Sequence, residues 1–216
     1  MFLRGAMAAV AVVMTMVASA QVTPYGWRGP ARNGVYPETG LLKQWPASGP
    51  EKLWETLDAG KGYSSPVVVG DKIYLTGMNE DQSMETFSAY TLEGKKLYTV
   101  EYSKPWDQTY PETRTTPAIV DGKAYVISGS GEIVCISTAD GKIVWKVNGG
   151  EVYSRKTGNW GTSECPLVFD NKVIFTPAGD KTTMVALDAQ TGKEVWKTKA
   201  WGDVGAYVSP MLIEYK

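Results

Sequence analysis

One segment recurs along this chain and limits what the chain can fold into. Residues 185–196 read VALDAQTGKEVW, two short runs of strand-forming residues joined by a tight turn and closed by a tryptophan. Residues 133–145 (IVCISTADGKIVW) repeat the segment at an offset of 51, and residues 87–98 (FSAYTLEGKKLY) are a copy one residue shorter that ends in tyrosine. The closing aromatic residues, counted from the tryptophan of EKLW, stand at 54, 98, 145 and 196. Such a period is typical of stacked or ring-like repeats.

A second segment recurs between these copies. Each instance is an apolar strand that includes a proline, then a polar turn, then a second strand; the instances begin at Ser65, Thr116 and Cys165, and Ser209 begins a fourth. Four short strands per repeat, without helical periodicity, predict an all-β fold, a β-propeller of four-stranded antiparallel blades. We expect strands near 63–69, 72–77, 84–91 and 95–101 in the first blade, 115–120, 123–128, 132–137 and 142–147 in the second, and 163–168, 172–177, 183–188 and 193–198 in the third. The blades therefore span about 63–101, 115–147 and 163–198, and the next begins at 206.

The recurring segment has a structural explanation. Glycine at its turn can take the positive φ that a short hairpin needs, and an aspartate side chain can accept hydrogen bonds from the turn amides. The closing aromatic ring suits the gap between neighbouring twisted blades. The residues predicted to form this blade motif are Trp54, Tyr98, Gly141, Trp145, Asp188, Gly192 and Trp196.

Three blades do not close a ring. Propellers have at least four blades, so we expect the chain to be the N-terminal part of a longer protein with six to eight blades in all. The strand that contains Trp54 is then the outer strand of the last blade, and the rest of the propeller is needed to close the ring.

Composition excludes several kinds of chemistry. The chain has 216 residues and no histidine, which removes Ser-His-Asp and Cys-His catalysis and histidine-ligated zinc. Its two cysteines, Cys135 and Cys165, are too far apart in sequence for a CxxC metal or redox motif, and we expect two buried thiols and no metal site. With 22 basic and 23 acidic residues, the charge does not indicate nucleic acid as a partner.

The N-terminus has the pattern of an export signal. Arg4 precedes an uncharged apolar run that ends at Ala18-Ser19-Ala20, the small-x-small pattern that signal peptidase accepts. We divide the chain into a signal peptide (1–20), a turn-rich lead-in (21–50) and a partial propeller (51–216). The alternative, an uncleaved membrane anchor, has too short an apolar run, so we expect a periplasmic or secreted protein without a transmembrane segment after cleavage.

The motifs resemble a known family. The pattern A-L-D-x-x-T-G-K-x-x-W at 186–196, with WRGPARNG at 27–34 and ETGLLKQWP at 38–46, resembles pyrroloquinoline quinone (PQQ) repeat β-propellers, including exported BamB-like proteins. The resemblance implies the fold more than the function, because the repeat builds blades in quinoprotein dehydrogenases and in non-catalytic members alike. Alcohol-oxidising members carry adjacent cysteines and a Ca²⁺ site with Glu, Asn and Asp, and no positions here match that set. BamB itself is anchored through a lipid on an N-terminal cysteine, which this chain also lacks.

Two groups of side chains are candidates for a binding site. Residues just ahead of the inner strands should lie around the rim of the central channel. These are Tyr63, Arg114, Ser163, Glu164 and Tyr207, and the structural alternative is that they pair with one another, for example Arg114 with Glu164. Loops between blades carry the second group, Trp106, Tyr110, Arg155 and Trp160, which either form a binding surface or fold back over the channel. Arg28 and Arg32 either attract an anion or belong to a turn-rich lead-in.

These observations leave three hypotheses for function. The first is an exported, non-catalytic scaffold that binds a protein or a small polar ligand, resembling BamB. The second is a PQQ-dependent dehydrogenase that oxidises alcohols or sugars, with PQQ and Ca²⁺ as cofactors. The third is recognition of a carbohydrate or cell-wall polymer by the aromatic loops.

Overall fold

The computed structural model describes residues 25–215, so the predicted signal peptide lies outside the described residues. Three four-stranded antiparallel sheets follow one another along the chain, each in the spatial order of its sequence. Blade 1 consists of β1 (Val67–Val69), β2 (Lys72–Met78), β3 (Glu85–Thr91) and β4 (Lys96–Ser103). Blade 2 consists of β5 (Ala118–Val120), β6 (Lys123–Ile127), β7 (Glu132–Ser137) and β8 (Ile143–Asn148), and blade 3 of β9 (Leu167–Phe169), β10 (Lys172–Phe175), β11 (Val185–Asp188) and β12 (Glu194–Lys197).

The three blades confirm the predicted all-β propeller architecture, although the inner strands are shorter than predicted. Each begins only after Pro66, Pro117 or Pro166, because proline has no N–H to donate to the neighbouring strand. The sequence did not predict α1 (Gly149–Tyr153), a single helical turn between blades 2 and 3. The Asn148 side chain caps this turn by accepting the Glu151 N–H.

Apolar side chains are buried mainly between blades. Tyr74, Phe87 and Ala89 of blade 1 pack against Val134 and Ile136 of blade 2. The other face of blade 2 packs against blade 3 in the same way, with buried side chains on both sides. Alternate residues of one strand thus face two different neighbours, which is why the strands of blade 2 read as nearly continuous apolar runs.

The aromatic residue that closes each repeat lies on the turn of the following blade. Trp145 Nε1 donates to the Ala189 carbonyl (3.1 Å) next to Gly192, and Tyr98 donates its hydroxyl to the Thr138 carbonyl (2.9 Å) next to Gly141. Gly141 and Gly192 have φ of 73° and 70°, and a Cβ on either would lie 2.8 Å from the ring. Glycine is therefore required at these turns for two reasons: the backbone has a positive φ, and the aromatic ring leaves no space for a Cβ.

Trp54 makes the same contact one blade earlier. Its Nε1 donates to the Leu92 carbonyl (2.8 Å), and its ring covers Gly94. Trp196, the equivalent residue of blade 3, is partly exposed, and its indole N–H makes no hydrogen bond to any described residue.

The lead-in lies against the inner strand of blade 2. Tyr25 exchanges two backbone hydrogen bonds (2.8 and 2.7 Å) with Ile119 of β5. Arg32 is buried and donates to the carbonyls of Cys165 (2.7 Å) and Pro166 (3.1 Å), just ahead of β9. Its guanidinium is therefore a structural tie between the lead-in and blade 3.

Ser209, which follows blade 3, repeats a contact that is made between blades 1 and 2. The Cys165 N–H donates to Ser209 Oγ (2.9 Å), as the Ser65 N–H donates to Thr116 Oγ1 (3.0 Å) two blade intervals earlier. In both cases a residue that precedes an inner-strand proline is bound by its counterpart in the next blade. Ser209 thus has the position relative to blade 3 that Thr116 has relative to blade 1.

Candidate functional site

The candidate site lies where the loops after blades 1 and 2 meet, and it is organised by Arg114. Its guanidinium donates to the carbonyls of Tyr110 (2.8 Å) and Trp160 (3.0 Å), which belong to the loops after blades 1 and 2. It also donates to the Glu112 carbonyl (3.2 Å) and lies 3.8 Å from the Glu112 carboxylate. Glu112 accepts in addition from Lys61 (3.1 Å). Arg114 thus fixes the two loops to each other, and its partners are not Glu164, the example given for the structural alternative.

Two aromatic side chains are displayed on these joined loops. The rings of Tyr110 and Trp160 lie with their centroids 5.0 Å apart at an interplanar angle of 31°. Tyr110 is 62% exposed and Trp160 is 43% exposed. The Trp160 N–H donates to the Tyr207 hydroxyl (3.2 Å), and Thr109 Oγ1 donates to the Asn159 carbonyl. We call Tyr110, Trp160 and Tyr207 the rim aromatic cluster.

Trp106, the third aromatic residue predicted for this surface, folds back onto the blades. A Cβ at Gly129 would lie 2.9 Å from the Trp106 backbone N and Cβ, and a Cβ at Gly161 would lie 2.7 Å from its ring, so both glycines leave room for Trp106. Its Nε1 donates to Thr109 Oγ1 (3.0 Å) within the same loop. The sequence left this alternative open, and the structure places Trp106 in a supporting position under the cluster.

Glu164 is buried and Arg155 is half-buried close to it, so the Arg155 loop takes the alternative of folding back rather than displaying this side chain. Glu164 accepts the Thr176 N–H (2.9 Å), and burial raises the pKa of its carboxyl to about 7 against the opposing effect of the Arg155 charge. Burial lowers the pKa of Arg155, whose Nε and Nη1 are closed off from solvent without a hydrogen-bond partner. The Arg155 side chain packs against Gly131, which has no side chain of its own. This leaves room for the loop to turn inward.

Glu85 has a buried carboxyl group that was not predicted from the sequence. It accepts the Gly129 N–H (2.8 Å) from blade 2 and the hydroxyl of Tyr102. Burial raises the pKa of Glu85 to about 7, and these two hydrogen bonds and the Arg114 charge act in the opposite direction. A glutamate at the start of a predicted strand carries no signal for burial, because its surroundings come from the next blade.

The remaining predicted residues do not join the cluster. Tyr63 is exposed and attached through its backbone, with its N–H donating to the Thr113 carbonyl (2.7 Å). Ser163 is half-buried next to Glu164. Cys135 and Cys165 are free, buried thiols, and burial raises the pKa of both.

The described residues do not fit a quinone with calcium. Arg114 uses its N–H groups on three carbonyls, Arg155 is closed off, and Glu85 and Glu164 are turned inward. Within residues 25–215, no three carboxylate or thiol side chains are placed to hold a metal ion together. In the same range, no helix is long and apolar enough to cross a membrane.

The fold and the repeat define a class of protein. The sequence profile described as "Outer membrane protein assembly factor BamB" matches residues 31–148 and 93–212. The chain therefore belongs to this family of PQQ-repeat, BamB-like β-propellers.

Individual relatives are more distant. The chain is 25% identical over 189 residues to the serine/threonine-protein kinase AfsK of Streptomyces griseus, which covers 81% of this chain and 20% of the kinase. Among solved structures, it is similar to a europium-containing methanol dehydrogenase (20% identity, TM-score 0.54, 68% of this chain and 27% of that one). It is also similar to the quinohemoprotein alcohol dehydrogenase of Comamonas testosteroni (25% identity, TM-score 0.50, 66% and 22%). The chain spans about a fifth to a quarter of the length of these proteins.

Proposed function

We propose that this protein is an exported, non-catalytic scaffold that binds another protein through the rim aromatic cluster. The observation that carries the proposal is the geometry of Arg114, which holds the carbonyls of Tyr110 and Trp160 so that both rings stay at the surface. Exposed Tyr and Trp side chains that are already fixed bind with little loss of side-chain entropy, and they are enriched at the centres of protein interfaces. Export is supported by the N-terminal sequence pattern and by the description of the family.

Incorporation of a photo-crosslinking amino acid at position 110, in cells of the source organism, tests the proposal in the cell envelope. We expect it to capture one defined protein, and we expect Trp160→Ala to abolish the product. Tyr36, which is 55% exposed on the lead-in, is the matched control position and should give no such product. Equal capture from positions 36 and 110 would contradict a specific surface at the rim.

A second candidate is a PQQ-dependent dehydrogenase, favoured by the likeness to the Comamonas testosteroni enzyme. Its quinone and Ca²⁺ would be held largely by residues outside those described, since the described rim does not fit them. Adding PQQ and Ca²⁺ to the full-length protein distinguishes the two functions. Alcohol-dependent reduction of a dye would establish the dehydrogenase and contradict the scaffold proposal. We expect no such reduction.

A further inference from the structure

The carboxyl of Glu85 is connected to the loop that carries Trp160. Glu85 Oε1 accepts the Gly129 N–H (2.8 Å), and the carbonyl of the same Gly129 accepts the Thr162 N–H (3.0 Å). Thr162 lies two residues after Trp160. A single glycine of blade 2 therefore stands between a buried carboxyl of blade 1 and the loop that displays a member of the rim aromatic cluster.

Trp106 closes the contact between these parts. A Cβ at Gly129 would lie 2.9 Å from Trp106 and 3.0 Å from Glu85 Oε1. A Cβ at Gly161 would lie 2.7 Å from the Trp106 ring and 2.8 Å from the Gly129 carbonyl oxygen. We call Glu85, Trp106, Gly129, Gly161 and Thr162 the Gly129 junction. Because the parts are in contact, a displacement of one of them is transmitted to the backbone next to Trp160.

The Glu85 carboxyl is poorly placed to carry a charge. Its side chain is fully buried, and besides the Gly129 N–H it accepts the hydroxyl of Tyr102 from β4. The charged group that acts on it from the described residues is Arg114, whose N–H groups already bind the carbonyls of Tyr110 and Trp160. A carboxylate has about four acceptor positions, so two donors leave it incompletely bound. Burial therefore raises the pKa of Glu85 to about 7.

Opening of the junction lets water solvate this carboxyl. In the open form its pKa returns to the ordinary value of 4.5, so the closed form binds the proton more tightly. The closed form is thus fully favoured below pH 4.5. Opening increases by up to about tenfold per pH unit as the pH rises from 4.5 to 7, and levels off above 7.

We propose that Glu85 is a pH-sensitive switch for the rim aromatic cluster. With a neutral carboxyl the Gly129 junction is closed and holds Trp160 beside Tyr110, and ionisation opens the junction and loosens residues 159–162. The consequence, stronger binding of a protein partner at acidic than at neutral pH, rests on the function proposed above.

Hydrogen exchange measured by mass spectrometry on the full-length protein tests the switch. After correction for the intrinsic exchange rate at each pH, residues 159–162 should lose protection by about 50-fold between pH 5 and pH 7.5. Low concentrations of urea should leave this ratio unchanged, because a local opening exposes little surface. Equal protection at both pH values, or a loss that follows global unfolding in urea, would overturn the proposal.

Two glutamine variants assign the effect to one carboxyl. Glu85→Gln keeps an oxygen that can accept the Gly129 N–H but does not titrate, so the difference between the two pH values should disappear. Glu164 provides the matched control, because it is also buried, its pKa is also raised to about 7, and it accepts the Thr176 N–H. Glu164→Gln should keep the full difference. A difference that survives in Glu85→Gln, or disappears in Glu164→Gln, would contradict the role of Glu85.

Photo-crosslinking at position 110, in isolated cell envelopes at pH 5 and at pH 7.5, tests the consequence for binding. We expect more captured product at pH 5, and equal capture at both pH values when Glu85→Gln is also present. Equal capture without that substitution would overturn the switch and leave the proposed function intact. If exchange depends on pH as expected but no product forms at either pH, the switch stands and the proposed function fails.

Discussion

Glu85 shows how a single side chain joins two blades. It belongs to β3 of blade 1, and its carboxyl accepts the Gly129 N–H from the turn after β6 of blade 2. The site is buried, so the neutral carboxyl is favoured over the carboxylate. Protonation of Glu85 is therefore linked to the packing of blade 1 against blade 2.

The raised pKa of Glu85 predicts a dependence of stability on pH. Its carboxyl has a pKa of about 7 when folded against an ordinary value of 4.5, so the folded state binds the proton more tightly. The contribution to the free energy of unfolding is full below pH 4.5, falls as the pH rises to 7, and amounts to about 3 kcal/mol. Urea unfolding at pH 5 and at pH 7.5 measures it.

Glu85→Gln is the variant for this measurement. It should remove about half of the fall in stability, because Glu164 titrates in the same direction and over the same range. The low pKa of about 2 of Asp58 and Asp140 places their titration outside this window. A fall that is unchanged in Glu85→Gln would show that this carboxyl ionises near its ordinary pKa.

At the scale of the element, the contact between an outer strand and the next turn is the unit that repeats. Trp54, Tyr98 and Trp145 each donate to a turn carbonyl and cover a turn glycine. The contact tolerates indole or phenol, since both are flat and both carry one polar hydrogen. It does not tolerate a side chain at the glycine.

Comparison of Gly192→Ala with Gly122→Ala separates the effect of the positive φ from the effect of the steric contact with the ring. Both glycines have φ of 70°, but a Cβ at Gly192 would lie 2.8 Å from Trp145, whereas at Gly122 its nearest contact is Thr138 Oγ1 at 4.0 Å. We expect Gly122→Ala to lower the free energy of unfolding by about 1 kcal/mol and Gly192→Ala to lower it by about 1–3 kcal/mol more. Chemical denaturation measures both, and equal losses would refute the steric role of the ring.

The repeat is also what made the blades predictable. The position of each turn glycine and closing aromatic follows from local sequence, so all twelve strands were expected within a few residues of where they lie. The pairing of Arg114, Glu164 and Arg155 did not follow, because it depends on how two irregular loops fold against different blades. The contact between Tyr25 and Ile119 could not be predicted from the sequence for another reason. It is made by backbone groups, which every residue carries.

At the scale of the whole molecule, burial is unevenly distributed. The two contacts between blades are fully packed, while apolar side chains on the lead-in and beyond blade 3 are exposed. The most exposed of them include Leu41, Leu42, Trp45, Trp201 and Ile213. Surfaces of this kind are covered in a stable soluble protein.

A chain of residues 21–216 should therefore self-associate. Its open sheet faces and uncovered apolar segments are expected to give oligomers or aggregates in size-exclusion chromatography with light scattering. A monodisperse monomer of the short chain would contradict this expectation.

The contacts of the lead-in with blades 2 and 3 set an order of events during synthesis. Tyr25 leaves the ribosome among the first residues, yet its partner Ile119 is made 94 residues later and the partner of Arg32, Cys165, 133 residues after that arginine. Each blade, in contrast, pairs strands that are adjacent in sequence and can form as soon as it emerges. Tyr25 and Arg32 can therefore reach their final contacts only after synthesis has passed Ile119 and Cys165.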